Sequence, residues 1–166
     1  MHRLTRFMPI VASVISVLSV ASASLLVGVG PAQASVSSPV PFSPVLRVCD
    51  FTNAMLPTSG FGRGYSIISS DGGTATAEIH LFNVDPDTYF YVRFIELPRP
   101  VLRCNTGDPG VVTGSFVTNY RGDATITLSQ PVIPGANKAW VLLEGPPGNN
   151  NIIAGDFYSS DFAPNI

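Results

Sequence analysis

After Ala34, turn-forming residues interrupt this chain about every ten residues, which leaves room for short strands and for no helix of ordinary length. The interruptions are Asp71-Gly72-Gly73, Asp85-Pro86-Asp87, Pro98-Arg99-Pro100, Asp108-Pro109-Gly110, Arg121-Gly122-Asp123, Pro134-Gly135 and Gly145-Pro146-Pro147-Gly148. Each supplies a preset φ, a tolerated positive φ, or a side chain that bonds the turn. The intervening runs are β-branched and alternate in polarity, a two-residue period that puts one face on a core. Strands are therefore expected over 45–51, 64–69, 74–84, 88–97, 101–104, 111–118, 124–130, 139–144 and 152–158.

Alternation assigns the faces. Ala75, Ala77, Ile79 and Leu81 share one side, opposite Thr76, Glu78, His80 and Phe82. Phe90, Val92 and Phe94 fall opposite Tyr89, Tyr91, Arg93 and Ile95, and Ala124, Ile126 and Leu128 opposite Thr125, Thr127 and Ser129. In Ala139-Trp140-Val141-Leu142-Leu143 every residue is apolar, as a central strand covered on both sides requires. Seven to nine short antiparallel strands in one all-β domain fit a two-sheet sandwich. The domain is expected over 45–166, after a proline-broken leader, 35–44, that no sheet interior would accept but that an edge would.

The first 34 residues have a different character. Arg3 and Arg6 precede an uncharged run from Phe7 to Gly30, and Ala32-Gln33-Ala34-Ser35 follows, which is the order of a secretory signal. Ala32 and Ala34 are the small residues of the cleavage site, and the bond expected to be cut is Ala34/Ser35. The rival is an uncleaved anchor, since such a run can cross roughly 30 Å of hydrocarbon. A membrane is a partner only in that case. Cys49 and Cys104 both lie in the exported part, where an even cysteine count favours a disulfide over two buried thiols. The expected location is outside the cell or at its envelope.

Removal of the signal takes two of nine basic residues and leaves eleven acidic ones, a net charge of −4. With no basic cluster to offset that balance, nucleic acid is excluded as a partner.

The stretch Leu81-Phe82-Asn83-Val84-Asp85-Pro86-Asp87-Thr88-Tyr89-Phe90-Tyr91-Val92 resembles the tyrosine corner of fibronectin type III and related immunoglobulin-like modules. The resemblance implies an immunoglobulin-like sandwich in which Tyr89 or Tyr91 packs where the chain enters its next strand. The tryptophan and the cysteines depart from the immunoglobulin pattern, so the architecture is carried over and the strand topology is not.

His80 is the one histidine of the exported chain, and with Glu78 it is the only start for an acid/base pair or a metal site. No nucleophile elbow, HExxH or phosphate loop accompanies it, and no motif implies a cofactor. Asp85, Asp87, Asp71, Asp108 and Asp123 are potential calcium ligands, but calcium takes six or more oxygens, and turn chemistry is the simpler reading. Tyr89, Tyr91 and Arg93 form a recognition surface if their face is exposed. Asn149, Asn150 and Asn151 extend a loop at one end of the sandwich, a usual place for binding. These residues favour a non-catalytic interaction or structural module that meets an extracellular protein or glycan. The alternatives are a carrier of a small apolar ligand, like the secreted apoproteins that hold enediyne chromophores, and an enzyme built on Glu78 and His80. An apolar cleft lined by Phe and Tyr would favour the carrier, and a flat exposed Tyr/Arg face the interaction module.

Overall fold

A computed structural model describes residues 38–55, 60–146 and 155–166. The signal segment with Ala32, Ala34 and Ser35, and the loop residues Asn149, Asn150 and Asn151, lie outside the described residues. The protein is all-β. The described residues form eight strands, β1 (Val40–Ser43), β2 (Arg63–Ser70), β3 (Thr74–Phe82), β4 (Tyr89–Leu97), β5 (Val111–Val117), β6 (Ala124–Pro131), β7 (Lys138–Glu144) and β8 (Phe157–Ser160). All pairings are antiparallel, and the order is β5-β4-β7-β8-β1-β2-β3-β6.

Strand β1 joins the two halves of this order. Val40 and Pro41 pair with Ser66 and Tyr65 of β2, whereas Phe42 and Ser43 pair with Ser160 and Ser159 of β8. The sheet thus begins at Val40, inside the segment expected to be a leader. Pro41 is accommodated at the point where β1 changes partners, and its carbonyl accepts the Asp161 N–H at 2.9 Å. At the far ends, β5 and β6 approach each other without a ladder. A Cβ on Gly114 of β5 would meet Leu128 and Ile126 of β6, so the sheet is rolled nearly into a barrel.

Inside the roll, the expected inward residues Ala75, Ala77, Ile79, Leu81, Phe90, Val92 and Phe94 are fully buried. Phe90 packs on Phe116 and Tyr158, with ring centroids at 5.7 and 6.2 Å. Strand β7 is buried on both faces, as its composition requires, because a second layer covers its outside.

That layer corrects two strand expectations. Segments 45–51 and 101–104 form no strands; the first is a tight loop closed by an Arg47/Asn53 bridge. Their apolar residues serve a different contact. Leu46, Cys49, Phe51 and Cys104 pack with Ile95, Leu97, Trp140 and Leu142 into a second cluster outside β4 and β7. A Cys49–Cys104 disulfide ties the layer together, as expected, and Cys49 N–H donates to Val101 O at 3.2 Å. Arg99 draws in the remainder by donating to the carbonyls of Glu96, Gly110, Pro109 and Arg103. Phe51 meets Trp140 edge-on at 5.4 Å, and the Arg47 guanidinium lies 4.2 Å over Phe51.

Candidate functional site

The outward face of β4 changes character along its length. Ile95 and Leu97 are buried beneath the disulfide layer, whereas Tyr89, Tyr91 and Arg93 stand beyond its border. Register places these three beside Val117, Ser115 and Thr113 of β5, and places Tyr91 and Arg93 beside Glu144 and Leu142 of β7.

The polar groups of this row are linked. The Tyr91 hydroxyl lies 2.6 Å from the Thr106 hydroxyl, which lies 3.3 Å from that of Thr113. Arg93 Nη2 pairs with Glu144 Oε2 at 2.8 Å, and the guanidinium sits 5.3 Å from the Tyr91 ring centre. Burial opposes ionisation of the Tyr91 phenol, yet the Thr106 and Thr113 hydroxyls and the Arg93 cation together draw it below its ordinary value. The result is a held row: Tyr91 and Arg93 are fixed at their tips, while Tyr89 is 51% exposed and free to meet a partner. Next to Tyr89, Val117 is 60% exposed, and Tyr120 in the following turn is 73% exposed.

Thr106, Thr113 and Glu144 were not singled out by the sequence. Glu144 and Thr113 follow from register once β4 is placed between β5 and β7. Thr106 lies two residues after the disulfide-bonded Cys104, in a turn where Asn105 N–H donates to Asp108 and Asp108 N–H to Asn105 O.

The face of β2, β3 and β6 is organised around His80. Its Nε2 lies 2.9 Å from Glu78 Oε1 and its Nδ1 3.2 Å from the Thr125 hydroxyl, so both ring nitrogens are engaged. Tyr65 stacks on the ring at 4.7 Å, with Phe82 at 6.2 Å. Glu78 and His80 therefore do meet. Among the described residues, no three His, Cys, Asp or Glu side chains gather to hold a metal.

The turn aspartates act locally. Asp71 accepts the Gly73 and Thr74 N–H groups, which hold its carboxyl below the usual range. Asp108 accepts from Asn105, and Asp123 accepts the N–H of Asn83. The backbone carbonyl of Asp85 accepts the Thr118 hydroxyl at 2.7 Å.

One buried carboxyl escaped the sequence reading. Glu96 follows Phe94 on the inward phase of β4 and is wholly buried. Its Oε2 accepts the Ile133 N–H at 3.0 Å, while Oε1 has no partner among the described residues. Burial pushes its pKa up, against the opposing pull of that N–H and of Arg99. A carboxylate on the core phase of an alternating strand was the available signal.

No family model, curated protein or solved structure matches the chain.

Proposed function

We propose that the protein is an exported, non-catalytic immunoglobulin-like module that binds an extracellular protein or glycan through Tyr89, Tyr91 and Arg93. The observation that carries this reading is the row these residues form on the outward face of β4 beside β5, with Tyr91 and Arg93 held at their tips. Aromatic and arginine side chains restrained in this way contribute contact area at little cost in entropy. The formed disulfide supports an oxidising compartment, and with it export through residues 1–34.

The strand order supports the immunoglobulin-like reading. Strands β2-β3-β6 follow the A-B-E order and β5-β4-β7-β8 the C′-C-F-G order of such sandwiches, with β1 as an added bridge. The interior supports a module over a carrier, because Phe90, Phe116 and Tyr158 fill the core against one another.

The test is a binding screen of the secreted protein on arrays of extracellular proteins and glycans, followed by titration of each hit. Tyr89→Ala and Arg93→Ala are each expected to weaken a true ligand by about tenfold or more. Thr127→Ala, on the outward face of β6, is expected to leave it unchanged. Equal loss from all three, or none from the first two, overturns the assignment. N-terminal sequencing of secreted material tests export, and a start at Met1 contradicts cleavage.

A further inference from the structure

The outward face of β2, β3 and β6 carries one cross-strand row that joins all three strands. Register sets Tyr65 of β2, His80 of β3 and Thr125 of β6 side by side, with Glu78 two residues before His80 on the same face of β3. In this row the imidazole has a carboxylate at one nitrogen, at 2.9 Å, and a hydroxyl at the other, at 3.2 Å. The Tyr65 ring lies at 25° to the imidazole plane and restrains its tilt. Thr125 is exposed at the end of the row, whereas the His80 side chain keeps only 18% of its surface.

These contacts dictate where the protons lie. A carboxylate only accepts, so Nε2 of the uncharged imidazole carries the ring hydrogen and donates it to Glu78 Oε1. Nδ1 is left as a lone pair, and the Thr125 hydroxyl is therefore the donor of its bond. A hydroxyl whose proton is aimed at a base, with the base oriented by a third group, is the arrangement that makes an alcohol nucleophilic. A distance of this size is ordinary for such a contact before a reactant is bound. Neighbouring hydroxyls lack the arrangement. Thr76 and Ser129 on the same face bond one another at 2.9 Å, and Thr127 stands opposite Glu78 instead of the imidazole.

We infer that Thr125 is a modification site, an acyl acceptor with His80 as its base and Glu78 as the positioning residue, for activated acyl donors of the aryl ester or thioester class. Thr125 Oγ1 forms a bond to the acyl carbon as its proton passes to His80 Nδ1. The bond from that carbon to the leaving oxygen or sulfur breaks, and the leaving group departs with the electron pair. His80 then gives up the proton to the leaving group or to water. Each chain takes up one acyl group, held as an ester on Thr125, so the step is a stoichiometric modification and not turnover. It uses a different face from the Tyr/Arg row and stands independently of any ligand there.

The test treats the secreted protein with p-nitrophenyl acetate at mildly alkaline pH and locates the acetyl groups by peptide mass spectrometry over time. A positioned general base contributes on the order of 10²–10⁴ in rate, so Thr125 should be acetylated at least about tenfold faster than Thr127. His80→Gln should bring Thr125 down to the rate of Thr127 with an unchanged far-ultraviolet spectrum, and Thr125→Ser should keep the label. Glu78→Gln can donate as well as accept, so it should release the tautomer and slow the labelling of Thr125. Nitrogen NMR shifts read the tautomer directly, because His80 is the one histidine of the exported chain. They should show Nε2 protonated and Nδ1 bare in the wild type, and a mixture in Glu78→Gln. Equal labelling of Thr125 and Thr127 overturns the inference. So does labelling that survives His80→Gln, release of p-nitrophenol with no acetyl group on Thr125, or a wild-type ring protonated at Nδ1.

Discussion

Replacing both Cys49 and Cys104 by serine should destabilise the protein and uncover Trp140. The disulfide spans a sequence separation of 55, and in the chain-entropy treatment releasing a loop of that length costs about 4 kcal/mol at 25 °C. That is a large share of the net stability of a small domain. It corresponds to a fall in Tm of roughly 10–20 °C for a domain of this size. Trp140 makes the effect visible, because it is the sole tryptophan and is wholly buried under the layer that the disulfide ties. Urea unfolding should be followed by Trp140 emission and by far-ultraviolet circular dichroism in parallel. The double variant should show a lower midpoint and a steeper urea dependence, as the unfolded chain expands. Its emission should move to the red before the strand signal is lost, because the layer is released ahead of the sheet. A loss below about 1 kcal/mol, with coincident transitions and unchanged native emission, would refute both the loop-closure reasoning and the role given to the layer.

Three further outcomes follow from single positions. At Gly122, φ is +76° and an added Cβ would run into the Val84 carbonyl; Gly72 has φ +86° and open space around it. Gly72→Ala should thus cost about 1–2 kcal/mol from strain alone and Gly122→Ala about 3 kcal/mol or more, and equal thermal shifts would contradict the clash. Glu96 has its folded pKa raised by burial, so its favourable contribution is present at acid pH and is lost as pH rises through the folded value. Glu96→Gln cannot ionise and should gain on the wild type in urea midpoint as pH rises from acid to neutral; parallel pH profiles would count against this. Tyr91→Phe removes the bond to Thr106 and should cost about 0.5–1.5 kcal/mol. It should also delete the earliest phenol from an alkaline absorbance titration, and an unaltered early limb would show that Tyr91 is not that group.

The strands legible in the sequence include β2 and the all-apolar β7, and the faces were legible where a two-residue period is clean. Residues 74–84, 88–97, 111–118 and 124–130 alternate because one side faces the core; β3, β4 and β5 lie within the first three, and β6 matches the fourth and runs one residue further. Composition misled where apolar residues meet something other than a ladder. Segments 45–51 and 101–104 are β-branched and apolar because they cover Trp140 and Leu142 from outside, a contact that needs hydrophobic area and no strand hydrogen bonds. Strand β1 was hidden for the converse reason. Pro41 reads as a breaker, yet β1 gives only two residues to each neighbour, so the missing N–H falls at the change of partner. In the candidate site, Tyr89, Tyr91 and Arg93 were legible as one face, but the exposure of that face depends on a layer formed by residues distant in sequence.

The border of that layer is what gives β4 two kinds of outward surface. Position by position, the outward residues run Tyr89, Tyr91, Arg93, Ile95 and Leu97, and the change from polar-tipped to aliphatic falls where the disulfide-tied segments begin to cover the strand. Thr106 belongs to those segments, yet its hydroxyl reaches back to Tyr91 at 2.6 Å. One wall of the candidate site is therefore sheet, set by ladder bonds to β5 and β7, and the other is loop, next to Cys104. A ligand that meets Tyr89 and Tyr91 meets side chains whose positions depend on both walls. The disulfide and the Asn105/Asp108 turn bonds both lie next to Thr106, whose hydroxyl meets that of Tyr91. In this fold the disulfide-tied layer and the candidate row thus share a border at Thr106 and Tyr91.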